Sequence, residues 1–167
     1  SMALLDPTTG QVVPGWTATF GLTGATTRPL VRSIDIQGSW VYVGGNFTRI
    51  TGTDGVTRST GRLARVALSN GRPDTVFRPL PDGEIYSLDA SAAMVYIAGQ
   101  FENVNGVNHR KLTAVNTTDG SVVAGVADFL SSTTTWTGGW WTAFYGYQQA
   151  VLQVERGGHA VAQPAVV

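Results

Sequence analysis

Apolar and polar positions in this chain alternate with a period of two, in short bursts, and no stretch carries a convincing 3.6-residue rhythm. In "VRSIDI" (31–36) Arg32, Ile34 and Ile36 fall on one face, and Val31, Ser33 and Asp35 on the other. "WVYVGG" (40–45) is denser in apolar residues, which suits a strand covered on both faces. "RLARVAL" alternates again, and "TVFRPL" is short and stops at Pro79, which suits a sheet edge. Asn-Gly, Asp-Gly and Pro-Asp-Gly turns punctuate the gaps. The pattern predicts an all-β protein.

The bursts repeat. "VYVGGNF" (41–47) returns as "VYIAGQF" (95–101), and "VRSIDI" returns as "IYSLDA" (85–90), each 54 residues on. "GRLARVALSNG" (61–71) returns as "RKLTAVNTTDG" (110–120) at an offset of 49, because the first copy carries five extra residues in "TRITGTDGVTRSTG". A third fragment stands at the start: in "LDPTTGQVVPGW" Trp16 lies six residues past Gly10, as Phe77 does past Gly71 and Val126 past Gly120. Four short strands in about 50 residues, repeated, describe the four-stranded antiparallel blades of a β-propeller, whose sheets bury their faces only by stacking on neighbours. The expected layout is a blade end at 4–20, full blades at 31–80 and 85–130, and an aromatic-rich segment at 131–167 serving as a partial blade or tail. Ser1-Met2-Ala3 reads as a remnant of cloning.

Six positions carry the repeat: Tyr42, Gly45 and Phe47 in the first copy, and Tyr96, Gly99 and Phe101 in the second. Tyr42 and Phe47 are five apart, so a regular strand points them to opposite sides. A one-residue bulge at the glycines would bring both aromatics to the same side.

At these residues the chain resembles a bacterial β-propeller repeat family of unassigned function, common in large secreted or surface-anchored proteins. Its pattern runs roughly V-Y-x-G-G-x-F-T-x-V-N-G, followed by R-x-x-L-A-x-x-D-x-x-T-G. "VYVGGNFTRITG" and "VYIAGQFENVNG" carry the first half, "RLARVALSNG" and "KLTAVNTTDG" the second, and "LDPTTG" the closing turn. The resemblance spans about residues 4 to 130 and extends more distantly to kelch-type and galactose-oxidase-like propellers. Departures are Ala98 for the first glycine, Glu102 for the usual Thr or Ser, and the five-residue insertion. The resemblance implies an extracellular or cell-surface bacterial protein, whose secretion signal would lie outside this sequence, and it brings no catalytic motif.

Composition narrows the partners. Charged residues make up 13%, about half the usual ~25%, and the formal net charge is zero. A nucleic acid or an acidic membrane surface therefore has no electrostatic support as a partner. No run of about 18 apolar residues exists to span a membrane. The chain has no cysteine, which removes disulfides, thiol catalysis and cysteine metal sites.

The densest candidate chemistry is aromatic. Trp136, Trp140, Trp141, Phe144, Tyr145 and Tyr147 crowd into twelve residues, with Gln148 and Gln149 following. Flat rings on one surface stack on sugars. The plainer alternative is that they fill the space beside the last blade, and a protein interface is a third. "ERGGHAVAQPAVV" then reads as two strand-like pieces around Gly157-Gly158, or as a frayed end. Asp35 and Asp89 are repeat-equivalent. They either line a channel and hold a cation through oxygen, or accept hydrogen bonds from turn or neighbouring-blade amides. "TGTDGVT" (51–57) lacks the ligand spacing of an EF-hand loop and reads as a turn at Asp54-Gly55. His109 and His159 stand far apart in sequence, and no G-x-S-x-G, P-loop or H-E-x-x-H motif is present. Glu84, Glu102 and Glu155 form no glycosidase-like pair in the sequence. The expectation is no catalytic residue, metal or cofactor.

A closed propeller needs at least four blades, so the end sheets should expose apolar faces and unpaired edges. Self-association through open blade faces is expected. The functional expectation is a non-enzymatic module that binds protein or polysaccharide, or acts as a spacer. The alternative is a carbohydrate-active protein with Trp136, Trp140, Trp141, Tyr145 and Tyr147 as a sugar platform and catalysis elsewhere.

Overall fold

The computed structural model describes residues 1–24 and 28–124, together with the strands Leu152–Glu155 and His159–Ala162. Among them every regular element is a β-strand and every pairing is antiparallel. The strands are β1 (Met2–Leu5), β2 (Val12–Gly21), β3 (Leu30–Gln37), β4 (Trp40–Asn46), β5 (Arg49–Thr51), β6 (Thr57–Ser59) and β7 (Leu63–Ala67). The series continues with β8 (Ile85–Ala90), β9 (Met94–Gly99), β10 (Asn103–Val104), β11 (Val107–Asn108), β12 (Leu112–Asn116), β13 (Leu152–Glu155) and β14 (His159–Ala162). Two sheets have the same plan, β3-β4-β7 and β8-β9-β12; β1-β2-β5-β6, β10-β11 and β13-β14 make the others. No helix among the described residues is long and apolar enough to cross a membrane.

The repeat in sequence is a repeat in hydrogen bonds. Three closing turns share one pattern, with Gly10, Gly71 and Gly120 donating to the carbonyls of Asp6, Ala67 and Asn116. In the same turns the amides of Asp6, Ala67 and Asn116 donate onward to Gln11, Arg72 and Ser121. The three glycines take φ of 68°, 68° and 83°, a left-handed backbone that side chains resist. Arg62 and Lys111 occupy equivalent positions, both at φ 69°. Their carbonyls accept from the amides of Gly45 and Gly99. Close approach of the facing strand explains the repeated glycine: a Cβ on Gly45 would sit 2.1 Å from the Leu30 carbonyl oxygen, and one on Gly99 2.1 Å from that of Glu84.

Two apolar cores divide the chain. One joins the first repeated sheet to the second through Tyr42, Leu63 and Phe77 on one side and Ile85, Leu88, Val95, Ile97, Phe101 and Val115 on the other. The other joins Trp16, Ala18 and Phe20 of β2 to Val41, Val43, Phe47, Ala64 and Val66. β4 contributes to both, Tyr42 to one and Val41 and Val43 to the other, so it is buried on two faces as its composition predicts. Gly44 faces the second unit: a Cβ there would meet Ile85 Cγ2 at 2.6 Å and Leu88 Cδ2 at 3.0 Å.

Three expectations need correction. Each repeated sheet has three strands, and the fourth position is held by a single bridge, Val66↔Pro73 or Val115↔Val122. "TVFRPL" forms no ladder. Pro73 has no amide to extend one, and Asp74 turns the chain by accepting from Val76 and Phe77. The bulge is not in the glycine strands but opposite them, between Val31 and Ser33 and between Ile85 and Ser87. Tyr42 and Phe47 therefore stay on opposite sides, in different cores. What the bulge does is return Val31 to the face of Ile34 and Ile36, and Ile85 to that of Leu88.

β13 and β14 pair antiparallel, with Leu152 opposite Ala162 and Glu155 opposite His159. Among the described residues the sheets do not close into a ring. Met2 and Ala3 lie within β1, opposite Ala18 and Thr17.

Candidate functional site

The two repeated sheets meet along their first strands. Ser33 Oγ accepts from the Leu88 amide at 3.2 Å, and Asp35 Oδ2 from the Ala90 amide at 2.7 Å. Asp35 thus spends its charge on a neighbouring strand, the amide role rather than the cation role; its other oxygen takes the Ile36 amide. Arg32 and Glu84 pair across the same joint at 2.8 Å.

Where the turns of the two units face each other, a notch of about 510 Å³ opens. Gln37, Ser39 and Trp40 line it from the first hairpin, Ala92 and Thr117–Thr118 from the second unit. Gly38 makes this possible locally, since its φ of 58° lets β3 turn into β4 through two residues. Thr117 is held from three directions. Its amide donates to the Ala93 carbonyl, its hydroxyl lies 3.0 Å from the carbonyls of Ala92 and Ala93, and its own carbonyl accepts from Arg65.

Arg65 forms the floor of the notch. It is nearly buried, and its guanidinium carbon lies 4.3 Å from the Trp40 ring centre and 4.9 Å from that of Phe77. Nε bonds Asp74 Oδ2 at 2.6 Å, and Nη1 reaches the Tyr42 hydroxyl at 3.2 Å. Burial works to raise the Asp74 carboxyl, yet the Val76 amide and the Arg65 guanidinium together hold it below the usual carboxylate range. The cation is matched within the protein. The notch therefore offers one half-buried indole, an amide and hydroxyls, which suits a neutral polar ligand better than an anion.

A second cavity, about 310 Å³, lies by the insertion and is lined by Arg58, Asp74, Phe77, Arg78 and Pro79 among others. Asp54 grips Arg58 there with both oxygens, at 3.2 and 2.7 Å, and that bond holds the Asp54 carboxyl at about 2. Asp54 Oδ1 also takes the Val56 amide, so this segment is a tight turn.

Tyr42, Gly45, Phe47, Tyr96, Gly99 and Phe101 fall at matching places in β4, β9 and the residues just after them. Trp136, Trp140, Trp141, Tyr145 and Tyr147 lie outside the described residues. Among the described residues, no three His, Cys, Asp or Glu side chains gather. Sequence reasoning passed over Trp40 and Arg65. The available signal was an arginine in the middle of "RLARVAL", a position that burial tolerates only when the charge is paired. Comparison with family models, curated proteins and solved structures returns no match for this chain.

Proposed function

We propose that the chain is a non-enzymatic, propeller-type module that binds a neutral polysaccharide in the notch between its repeat units. The observation that carries the proposal is the convergence of the Trp40 indole with Gln37, Ser39 and Thr118 over a guanidinium already neutralised by Asp74. An indole face and a few fixed hydroxyl or amide partners are what sugar recognition needs. The propeller reading draws support from two like-planned sheets facing each other across a shared core and from the three matching turns. Placement outside the cell rests on the family resemblance.

The test is an array of neutral and acidic glycans, read with the natural chain, Trp40→Ala, and the pair Trp140→Ala and Trp141→Ala. Binding of a neutral glycan that is lost with Trp40→Ala is the expected result. Loss confined to the tail variants would favour the aromatic platform instead. Silence on every glycan would leave a protein-binding or spacer role.

A further inference from the structure

The first unit is open on one side. Val31, Ile34 and Ile36 share a face of β3 and are 37%, 50% and 54% exposed. Their equivalents one unit on, Ile85 and Leu88, are 0% and 7% exposed, because the β3-β4 hairpin of the preceding unit covers them. The β3 face is therefore the receiving half of a joint whose giving half is a two-stranded hairpin.

A second vacancy lies beside it. β1 is the equivalent of β7 and β12. It leads into the same closing turn, and its Leu5↔Val12 pair matches the bridges Val66↔Pro73 and Val115↔Val122. β7 pairs with β4 and β12 with β9, but among the described residues β1 ends its sheet, paired with β2 alone. The strand that belongs on that edge is the second strand of a hairpin, and the hairpin carrying it would also lie over Val31, Ile34 and Ile36. One occupant fills both vacancies.

The chain holds such a hairpin. β13 and β14 make a two-stranded antiparallel sheet with no third strand among the described residues, and β13 runs beside β8. It follows the second unit in the way that β8 follows β3. We propose that two copies of this chain exchange ends: the β13–β14 hairpin of each adds to the other's β1, with β14 antiparallel to β1, giving a sheet of order β13-β14-β1-β2. The main-chain ladder gives the affinity, as in strand addition generally, and the apolar β3 face fixes which side the hairpin lies on. The count favours a second copy over self-closure. Among the described residues, two full units and two complementary halves make three sheets per chain, short of the four that a ring requires, whereas two chains supply six, inside the four-to-eight range. A reciprocal exchange is also a closed twofold arrangement. The inference rests on the stacked-unit reading proposed above.

Light scattering on the 167-residue chain should give twice 17.6 kDa, falling toward 17.6 kDa on dilution. Ile34→Asp and Ile36→Asp alter residues that are exposed in a single copy. They should keep the β-type circular dichroism while shifting the dissociation midpoint at least tenfold toward monomer. The chain has no cysteine, so Ala3→Cys and Ala160→Cys can be made separately, tagged to differ in mass, and mixed with a short bis-maleimide. A product joining the unlike chains is expected, and each variant alone should give little. Like-to-like products as the main species, or a natural chain monomeric at every concentration, would overturn the exchange. In that event a marked loss of melting temperature in Gly44→Ala would leave the stacked-unit reading standing, and an unchanged one would remove both.

Discussion

Arg65 of the first repeat unit donates to the carbonyl of Thr117 in the second, and the equivalent carbonyl one unit earlier, Leu68, accepts from the Trp16 indole at 2.8 Å. The same acceptor is served by two unrelated donors. The carbonyl just past the third strand is thus satisfied from the preceding unit in both places, and the donor's identity is free.

Removing Asp74 should expose how much rests on Arg65. The pair is about nine-tenths buried on both sides. Asp74→Ala leaves a buried guanidinium with only neutral partners and frees the Val76 and Phe77 amides. A loss of about 3–5 kcal/mol is expected in a urea titration. Replacing both Arg65 and Asp74 with apolar residues of similar volume should restore much of it, because the cost lies in the uncompensated charge.

The adjacent glycines Gly44 and Gly45 should differ in severity. Gly45→Ala drives a Cβ into the Leu30 carbonyl, a backbone group held in the β3–β4 ladder, whereas Gly44→Ala meets the Ile85 and Leu88 side chains. Gly44→Ala is expected to cost about 1–3 kcal/mol as overpacking, and Gly45→Ala more. Ala98 stands at the second copy of the Gly44 position and is buried, so a Cβ is accommodated at that place in the second unit. Melting temperatures of Gly44→Ala, Gly45→Ala and Gly99→Ala would rank them.

Much of this was legible in the chain and some was not, for reasons particular residues show. "VYVGGNF" and "VYIAGQF" land in β4 and β9 with the same partners at the same register, because period, turn residues and glycine spacing are all local signals. Alternation in "VRSIDI" sorts Ser33 and Asp35 from Ile34 and Ile36 but does not say which pair faces the neighbouring strand. The polar pair does, since backbone amides of β8 wait there to be satisfied. Sequence local to β4 likewise gives no sign that the bulge sits across the ladder. Arg65 and Trp40 meet through β7 and β4 lying side by side, a pairing made across 25 residues of chain. The notch they floor belongs to the joint between units, which no single segment encodes.

Thr113 offers a stabilising change. It is fully buried in β12, and its hydroxyl has no partner among the described residues. The equivalent position in the first unit is Ala64, also buried. A buried hydroxyl without a partner costs about 1–3 kcal/mol, so Thr113→Val, which keeps the shape, should be neutral or stabilising by about 1 kcal/mol. Thr113→Ala would forfeit part of that gain to a small cavity. Chemical denaturation of the three chains side by side would order them.

Stability should fall on acidification. Hydrogen bonds hold five carboxyls, Asp6, Asp54, Asp74, Asp82 and Asp119, below the ordinary 3.8, with Asp54 at about 2 through Arg58. The unfolded chain binds these protons first on acidification, so between the two sets of values it holds more protons than the folded chain. The stability these groups contribute is full above 3.8 and drains away as pH drops toward about 2. Melting temperature should therefore be level from neutrality down to about pH 5 and descend below pH 4. Asp54→Asn removes one contributor, and the gap between its melting curve and that of the natural chain should close as pH approaches 2. A gap that stays constant with pH would mean that the Arg58 grip acts through shape rather than charge.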